Sequence, residues 1–303
     1  MELCLFLGCN TPAIRPDVEN AIRLTMPELG VDLIDLPGYV CCPAFGSFPS
    51  SDDESHYSTS GWNLSLAEES GHDIMVQCGS CYSSLRMGRE HLQHDEKMRA
   101  RVNELLKPSG RQVECKANVF HVTEVLYKEV GIEKIAAKIK NGLDGLHAVV
   151  QYPCHTLFPS EVVGFEESAR RPVALKELTE ALGATVDSFS LEYQCCGGAG
   201  GFSKMSPIGA NEFSKRKLDA ILNETKAEFI VVSCITCLMY LENIQNKLNE
   251  KAGEVIYNLP VFDYNQLLAL CMGYDPQKVS SICSVSRDKI TETILQNGTQ
   301  VLA

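Results

Sequence analysis

The chain has 303 residues, 45% of them hydrophobic, and a formal net charge of −12. Such a length buries one large core or two smaller ones, and the acidic balance argues against nucleic acid or an anionic membrane as the main partner. Its 14 cysteines suit a secreted disulfide scaffold only in a much shorter chain; with no basic region after Met1 and no apolar run near the roughly 20 residues needed to cross a bilayer, a cytoplasmic protein without direct membrane insertion is expected. In chain order, Leu3 to Leu7 predicts a buried strand that delivers Cys9 at its carboxyl end. Pro16 opens a helix whose apolar positions Val18, Ile22, Met26 and Leu29 keep helical spacing and which Gly30 stops. Val31 to Leu36 is a second strand, leading to Cys41-Cys42. The segment from Pro43 to Gly61 is rich in Ser, Pro and Asp, and its Asp52-Asp53-Glu54 reads as a solvated loop or a helix start. Asp73 to Gln77 is a third strand, ending at Cys78, and Tyr82 to Leu106 reads as a long polar helix. Val119 to Val122 and a helix to Val130 close the half before Gly142 to Gly145.

The second half repeats the plan. Leu146 to Tyr152 predicts a strand ending at Cys154, a helix covers Pro172 to Leu182, and Thr185 to Tyr193 leads into Cys195-Cys196. Phe229 to Ser233 runs into Cys234, a helix follows over Leu238 to Asn249, Phe262 to Met272 mirrors Phe120 to Val130, and a last helix is placed near Ile290 to Leu295. The order C, CC, CxxC therefore occurs twice: Cys9, Cys41, Cys42, Cys78, Cys81, then Cys154, Cys195, Cys196, Cys234, Cys237. The fold expected is α/β, with two pseudo-symmetric Rossmann-like halves, residues 1–145 and 146–303, each a small, mostly parallel sheet flanked by helices. Cysteines at the carboxyl ends of parallel strands lie in the crevice where such sheets bind ligands.

Adjacent cysteines make strained disulfides, so a shared metal is the better use of Cys41-Cys42 and Cys195-Cys196. Soft thiolates select zinc, copper(I) or iron–sulfur clusters, and five per half exceed the four of a tetrahedral zinc or an ordinary cubane. A fifth ligand fits a cluster in which one thiolate bridges two irons, or else one cysteine is spare. Disulfides and a thioredoxin-like CxxC remain as alternatives, as does structural zinc in one half. The glycines of Gly197-Gly198-Ala199-Gly200-Gly201 fit close packing against a cluster better than a phosphate cradle, since no Lys-Ser/Thr follows.

These motifs resemble the tandem CCG-domain signature of the B subunit of heterodisulfide reductase from methanogens, with Pro43 in place of the glycine after the first pair and wider spacings in the second set. Related CCG domains occur in a component of a succinate:quinone reductase and in glycolate- and lactate-oxidising iron–sulfur proteins. The resemblance implies two noncubane 4Fe–4S clusters, one per cysteine set, facing a common cavity, and the coenzyme M–coenzyme B disulfide as substrate, cleaved between the clusters to two thiols. It also implies partners: the ferredoxin-like C subunit and the flavin-containing A subunit of heterodisulfide reductase, with a hydrogenase or formate dehydrogenase upstream. The alternatives are a CCG electron-transfer component of a quinone- or hydroxyacid-linked oxidoreductase, and a zinc-bound scaffold with no redox role.

Beside the cysteines, His155 is a candidate proton donor to a leaving thiolate, and Lys204 a candidate partner for an anionic group of the substrate. Arg86 and Arg216 read as surface residues, and His91 and His94 as solvent-facing. Cys4, Cys115, Cys271 and Cys283 stand outside the repeat and read as small core hydrophobes.

Overall fold

The computed structural model describes residues 1–301 except 44–47, 49, 167 and 199–200, without the side chains of 299–301. Eight strands form two four-stranded sheets: β1 (Glu2–Phe6), β2 (Asp32–Asp35), β3 (Asp73–Val76) and β4 (Val119–His121), then β5 (His147–Gln151), β6 (Thr185–Val186), β7 (Phe229–Val232) and β8 (Val261–Asp263). Every pairing is parallel, and the orders β2-β1-β3-β4 and β6-β5-β7-β8 are the same topology used twice. Leu3 to Phe6, Ile74 to Val76 and Phe229 to Val232 are buried, as strands covered by helices on both faces must be. The predicted two-half α/β architecture is therefore the one observed.

The halves interlock. The helix Pro16–Glu28 packs against Tyr264–Cys271 of the other half, and Tyr127 Oη donates to Glu177 Oε2 at 2.6 Å in the reciprocal crossing. One continuous apolar core includes residues of both sheets. Polar bridges cross the same seam: Gln77 Nε2 donates to Asp263 Oδ2 at 2.6 Å. Arg15, Asp17, Glu242 and Arg287 form a buried ion network.

Several expectations change. Of the two readings of Asp52-Asp53-Glu54 the helix start holds, over Asp53–Ser70, with Asp52 capping it by accepting from Ser55 N at 2.9 Å; residues 44–47 and 49 of the preceding segment lie outside the described residues. The predicted helix over Tyr82 to Leu106 is two, Gly79–His94 and Glu96–Leu106. They divide at Asp95, which leaves the helical region to cap the second. Arg86 is no free surface residue: it is half-buried and donates to the carbonyls of Val162 at 2.9 Å and Val119 at 2.7 Å, tying the halves together. Arg216 is exposed, as read, and of the four extra cysteines only Cys283 is exposed rather than buried.

Candidate metal centre

The first cysteine and the leading CxxC cysteine of each set sit where the fold leaves a strand. Cys9 follows β1, Cys78 follows β3, Cys154 follows β5 and Cys234 follows β7; Cys78 and Cys234 immediately precede the helices Gly79–His94 and Ile235–Ala252. Those helix N-termini present backbone N–H groups and a partial positive charge, which favour thiolate. All 14 cysteines are unpaired by disulfides.

The two sets meet. Cys42 Sγ lies 3.0 Å from Cys81 Sγ, Cys154 Sγ 3.8 Å from Cys195 Sγ, and Cys78 Sγ 3.8 Å from Cys234 Sγ across the seam. The remaining neighbours perturb one another's ionisation: Cys9 with Cys41, Cys41 with Cys42, Cys81 with Cys78, Cys234 with Cys237, Cys237 with Cys196, and Cys196 with Cys195. All ten predicted thiols thus form one path, Cys9-41-42-81-78-234-237-196-195-154. Cys9 and Cys41 are exposed at one end, whereas Cys78, Cys81, Cys196, Cys234 and Cys237 are buried.

Sharing protons along this path polarises the thiols. Contacts with the Cys41 and Cys81 thiols bring Cys42 down to about 5, and those with Cys154 and Cys196 bring Cys195 down to about 2. Contacts with Cys234 and Cys81 hold Cys78 well below the ordinary thiol range. Their partners move the opposite way; Cys81 is raised first by Cys42 and then by Cys78. The backbone contributes in the second half, where Gly197 N–H points at Cys195 Sγ (3.3 Å) and Gly198 N–H at Cys196 Sγ (3.5 Å). Among the described residues no three His, Cys, Asp or Glu side chains converge as ligands of a single metal ion. The donor set instead suits a polynuclear iron–sulfur group: soft, thiolate-rich, with two protein segments per half supplying vicinal or CxxC sulfurs.

Backbone shape supports the same use. Gly8 has φ +67°, and a Cβ there would stand 2.8 Å from Cys81 Sγ. The packing role expected of the glycine run is different in detail: a Cβ on Gly198 would meet the Tyr240 ring at 2.6 Å, so that glycine admits an aromatic ring beside the sulfurs. Ala199 and Gly200 lie outside the described residues.

The surroundings are unequal. A cavity of about 260 Å³ borders Cys9, Cys41, Cys42, Cys78 and Cys81, with Gly198, Ile235 and Thr236 of the second half on its far wall. The void among Cys154, Cys196, Cys234 and Cys237 is only about 10 Å³. A second cavity of about 380 Å³ shares Asn10, Gly198 and Thr236 with the first and carries Lys204 and Lys247. Lys204 is exposed at this outer cavity. His155 borders the small void, bonded through Nδ1 to Ser83 Oγ at 3.2 Å; burial lowers its basicity, while thiols of both sets, Cys195, Cys78 and Cys42, oppose that shift. His91 stacks on Tyr57 rather than facing solvent alone.

Sequence reasoning passed over Lys217, which is 1% exposed behind the second set. The signal was available: on the helix Pro207–Glu224, positions 210, 214, 217, 218 and 221 form one buried stripe, and Lys217 falls on it.

The cysteine-rich CCG domain matches twice, over residues 3–86 and 148–242. The chain belongs to the CCG family that includes the B subunit of heterodisulfide reductase. A protein of Archaeoglobus profundus described as similar to that B subunit is 42% identical over 97% of this chain and 98% of its own. The B subunit of a ferredoxin/F420H2-dependent CoB–CoM heterodisulfide reductase of Methanosarcina acetivorans is 37% identical over 92% of this chain and 91% of its own. More distant is an 8-methylmenaquinol:fumarate reductase membrane anchor subunit of Wolinella succinogenes, 27% identical over 90% of this chain and 92% of its own. A hypothetical protein from Helicobacter pylori shares the fold, with a TM-score of 0.72 and 15% identity over 92% of this chain, which spans 50% of that structure. Membership makes this chain an iron–sulfur oxidoreductase with a role in electron transfer. Among the described residues no helix is long and apolar enough to cross a membrane.

Proposed function

We propose that the two cysteine sets each hold one noncubane 4Fe–4S cluster, in halves bounded at residues 145 and 146, and that the chain reduces the coenzyme M–coenzyme B heterodisulfide to two thiols. The observation that carries this reading is the continuous path of ten thiols, with Cys78 and Cys234 in contact across the seam and a cavity opening beside one set. Each cluster supplies one electron at a time, and cleaving an S–S bond takes two electrons and two protons, so paired sites match the stoichiometry. The chain's own part is placement. The cavity beside Cys9 and Cys41 admits the disulfide, and Thr236 and Asn10 line its passage to the outer cavity. Lys204 there offers a cation to an anionic end of the substrate. His155, oriented by Ser83, delivers a proton towards the sulfurs.

The heterodisulfide reductase relatives support a larger complex; in our reading a ferredoxin-like C subunit and a flavin-containing A subunit pass it electrons from a hydrogenase or formate dehydrogenase, in the cytoplasm. A second reading, a relay in a quinone- or hydroxyacid-linked oxidoreductase, is favoured by the fumarate reductase relative and by a lactate utilization protein of Macrococcus caseolyticus that is 27% identical. Anaerobic purification followed by iron and acid-labile sulfide analysis, then EPR with the heterodisulfide, separates the readings. Two clusters per chain and a paramagnetic signal dependent on the disulfide or its thiols are expected. Two clusters without any response select the relay, and absence of iron and sulfide refutes both.

A further inference from the structure

The duplicated halves superimpose in sequence with a constant offset around their paired cysteines. The helices Asp53–Ser70 and Pro207–Glu224 have 18 residues each and begin at the same distance from the pair (53 − 42 = 11; 207 − 196 = 11). Lys217 therefore corresponds to Asn63 (217 − 154 = 63), and both are fully buried.

Their neighbourhoods differ in charge. Asn63 is neutral and closes a reciprocal pair with the backbone of Val40, donating to its carbonyl at 3.1 Å and accepting from its N–H at 2.9 Å. Lys217 Nζ donates to Gln151 Oε1 at 2.5 Å and to the Glu192 carbonyl at 3.2 Å, and stands 5.5 Å from the Phe189 ring centroid. Gln151 ends β5, three residues before Cys154, and Glu192 lies three before Cys195. The ammonium is thus fastened to the two segments that carry those cysteines. In the first half the strand position matching Gln151 is Phe6, since Cys9 and Cys154 align (151 − 145 = 6), and Phe6 is buried with no polar handle. A lysine buried this completely is costly unless something negative repays its lost hydration. Burial lowers Lys217 to about 8, and the sulfurs of Cys196, Cys237 and Cys195, followed by Glu192, oppose that shift. Glu192 is itself buried, and it shares its attraction with Lys176.

We propose that Lys217 is a fixed cation that makes the two cysteine sites electrically unequal, giving the iron–sulfur group held by Cys154, Cys195, Cys196, Cys234 and Cys237 a higher reduction potential than the group held by the first set. The proposal rests on each set holding a cluster. A positive charge stabilises the more negative, reduced form, and net charge around the sulfurs is one of the protein's means of setting such potentials. The enclosed second site, with a void of about 10 Å³, then receives electrons preferentially, while the first opens on the larger cavity.

The test is an anaerobic redox titration followed by EPR on the cluster-loaded protein, comparing wild type with Lys217→Met and Lys217→Arg. Variants Cys42→Ser and Cys196→Ser assign the two signals to their sets. Lys217→Met should move only the second signal to lower potential, and Lys217→Arg should hold it near the wild-type value. Equal shifts at both sites, no shift, or an arginine variant that behaves like methionine would overturn the proposal. Iron and acid-labile sulfide analysis of the same samples separates the two claims. Two clusters per chain with an unshifted second signal in Lys217→Met would refute the electrostatic role alone, whereas absence of iron and sulfide from the native protein would refute the function on which the redox consequence depends.

Discussion

Glu242→Gln probes what holds the two sets against each other. Glu242 Oε2 accepts from Arg15 Nη1 at 3.2 Å and Oε1 from Arg287 Nη2 at 3.0 Å, all three side chains being no more than 6% exposed. Arg15 is also bound by Asp17, Nε to Oδ1 at 3.1 Å and Nη2 to Oδ2 at 3.1 Å. Two arginines and two carboxylates balance, and Gln is nearly isosteric with Glu, so the substitution opens no cavity. It leaves two buried guanidiniums facing one carboxylate and turns an amide N–H₂ towards a donor. Removing one partner of a buried pair costs about 3–5 kcal/mol. Because burial already pushes the Glu242 carboxyl up against the pull of Arg287 and Arg15, a loss near the lower end, about 3 kcal/mol, is expected. Guanidinium chloride unfolding of the metal-free chain, followed by circular dichroism, reads it as a lower midpoint with an unchanged slope. Adding Arg287→Met restores the charge balance, so the double variant should lose less than the two single losses summed. A Glu242→Gln loss below about 1 kcal/mol, the range of an exposed pair, would show that water reaches this seam and that the network does not hold the halves.

Three further outcomes are expected. Cys196→Ser should abolish heterodisulfide reduction in a chain whose circular dichroism is unchanged; full activity there would remove Cys196 from the ligand set. Lys204→Ala should raise KM for the disulfide roughly tenfold, a loss of about one charge-assisted hydrogen bond, with iron content intact, and an unchanged KM would place the anionic group elsewhere. Burial raises the Asp263 carboxyl to about 6 from its ordinary 3.8. Its native state then binds a proton more readily than the unfolded chain, so stability from this group is greatest below pH 4 and falls by about 3 kcal/mol as pH rises through 6. Unfolding midpoints of wild type and Asp263→Asn across that range should diverge accordingly, since asparagine keeps the helix cap but cannot ionise; parallel curves would refute the buried carboxylate.

The repeat was legible because cysteine pairs and CxxC motifs end short β-rich runs, and an apolar run stopping at a cysteine can only be a strand delivering it to the sheet edge. The mostly parallel sheets and their flanking helices followed from the same βα alternation, whereas the order of the strands is seen only in the structure. Charged and polar residues that serve the interior were not legible. Arg86 sits on a polar helix, and nothing local reveals that its guanidinium reaches two carbonyls from different halves. Lys217 follows Lys215 and Arg216 in a basic run, where composition suggests solvent; only the helical phase set by Ala210, Ser214 and Leu218 turns it inward. The length of the helix Asp53–Ser70 was hidden because the Ser-, Pro- and Asp-rich segment runs on to Gly61, which lies in its middle. Its absent side chain lets Val102 and Val113 approach, a Cβ there standing 2.8 Å and 3.3 Å from them.

Duplication explains why the thiols form one path rather than two islands. Each CxxC opens a helix at the end of the central strand of its sheet, so bringing the two sheets together at those strand ends brings the first cysteines of both motifs together. Gly79 makes the approach possible: a Cβ on it would lie 3.0 Å from Pro153 and 3.6 Å from Cys234 Sγ. The counterpart after Cys234 is Ile235, which turns to the wall of the larger cavity instead. One small and one large residue at equivalent positions thus face different sites, Gly79 beside the void of the second set and Ile235 at the cavity of the first. If the substrate enters as proposed, through the cavity of the first set, enlarging Gly79 should separate the halves, whereas trimming Ile235 should change only that cavity.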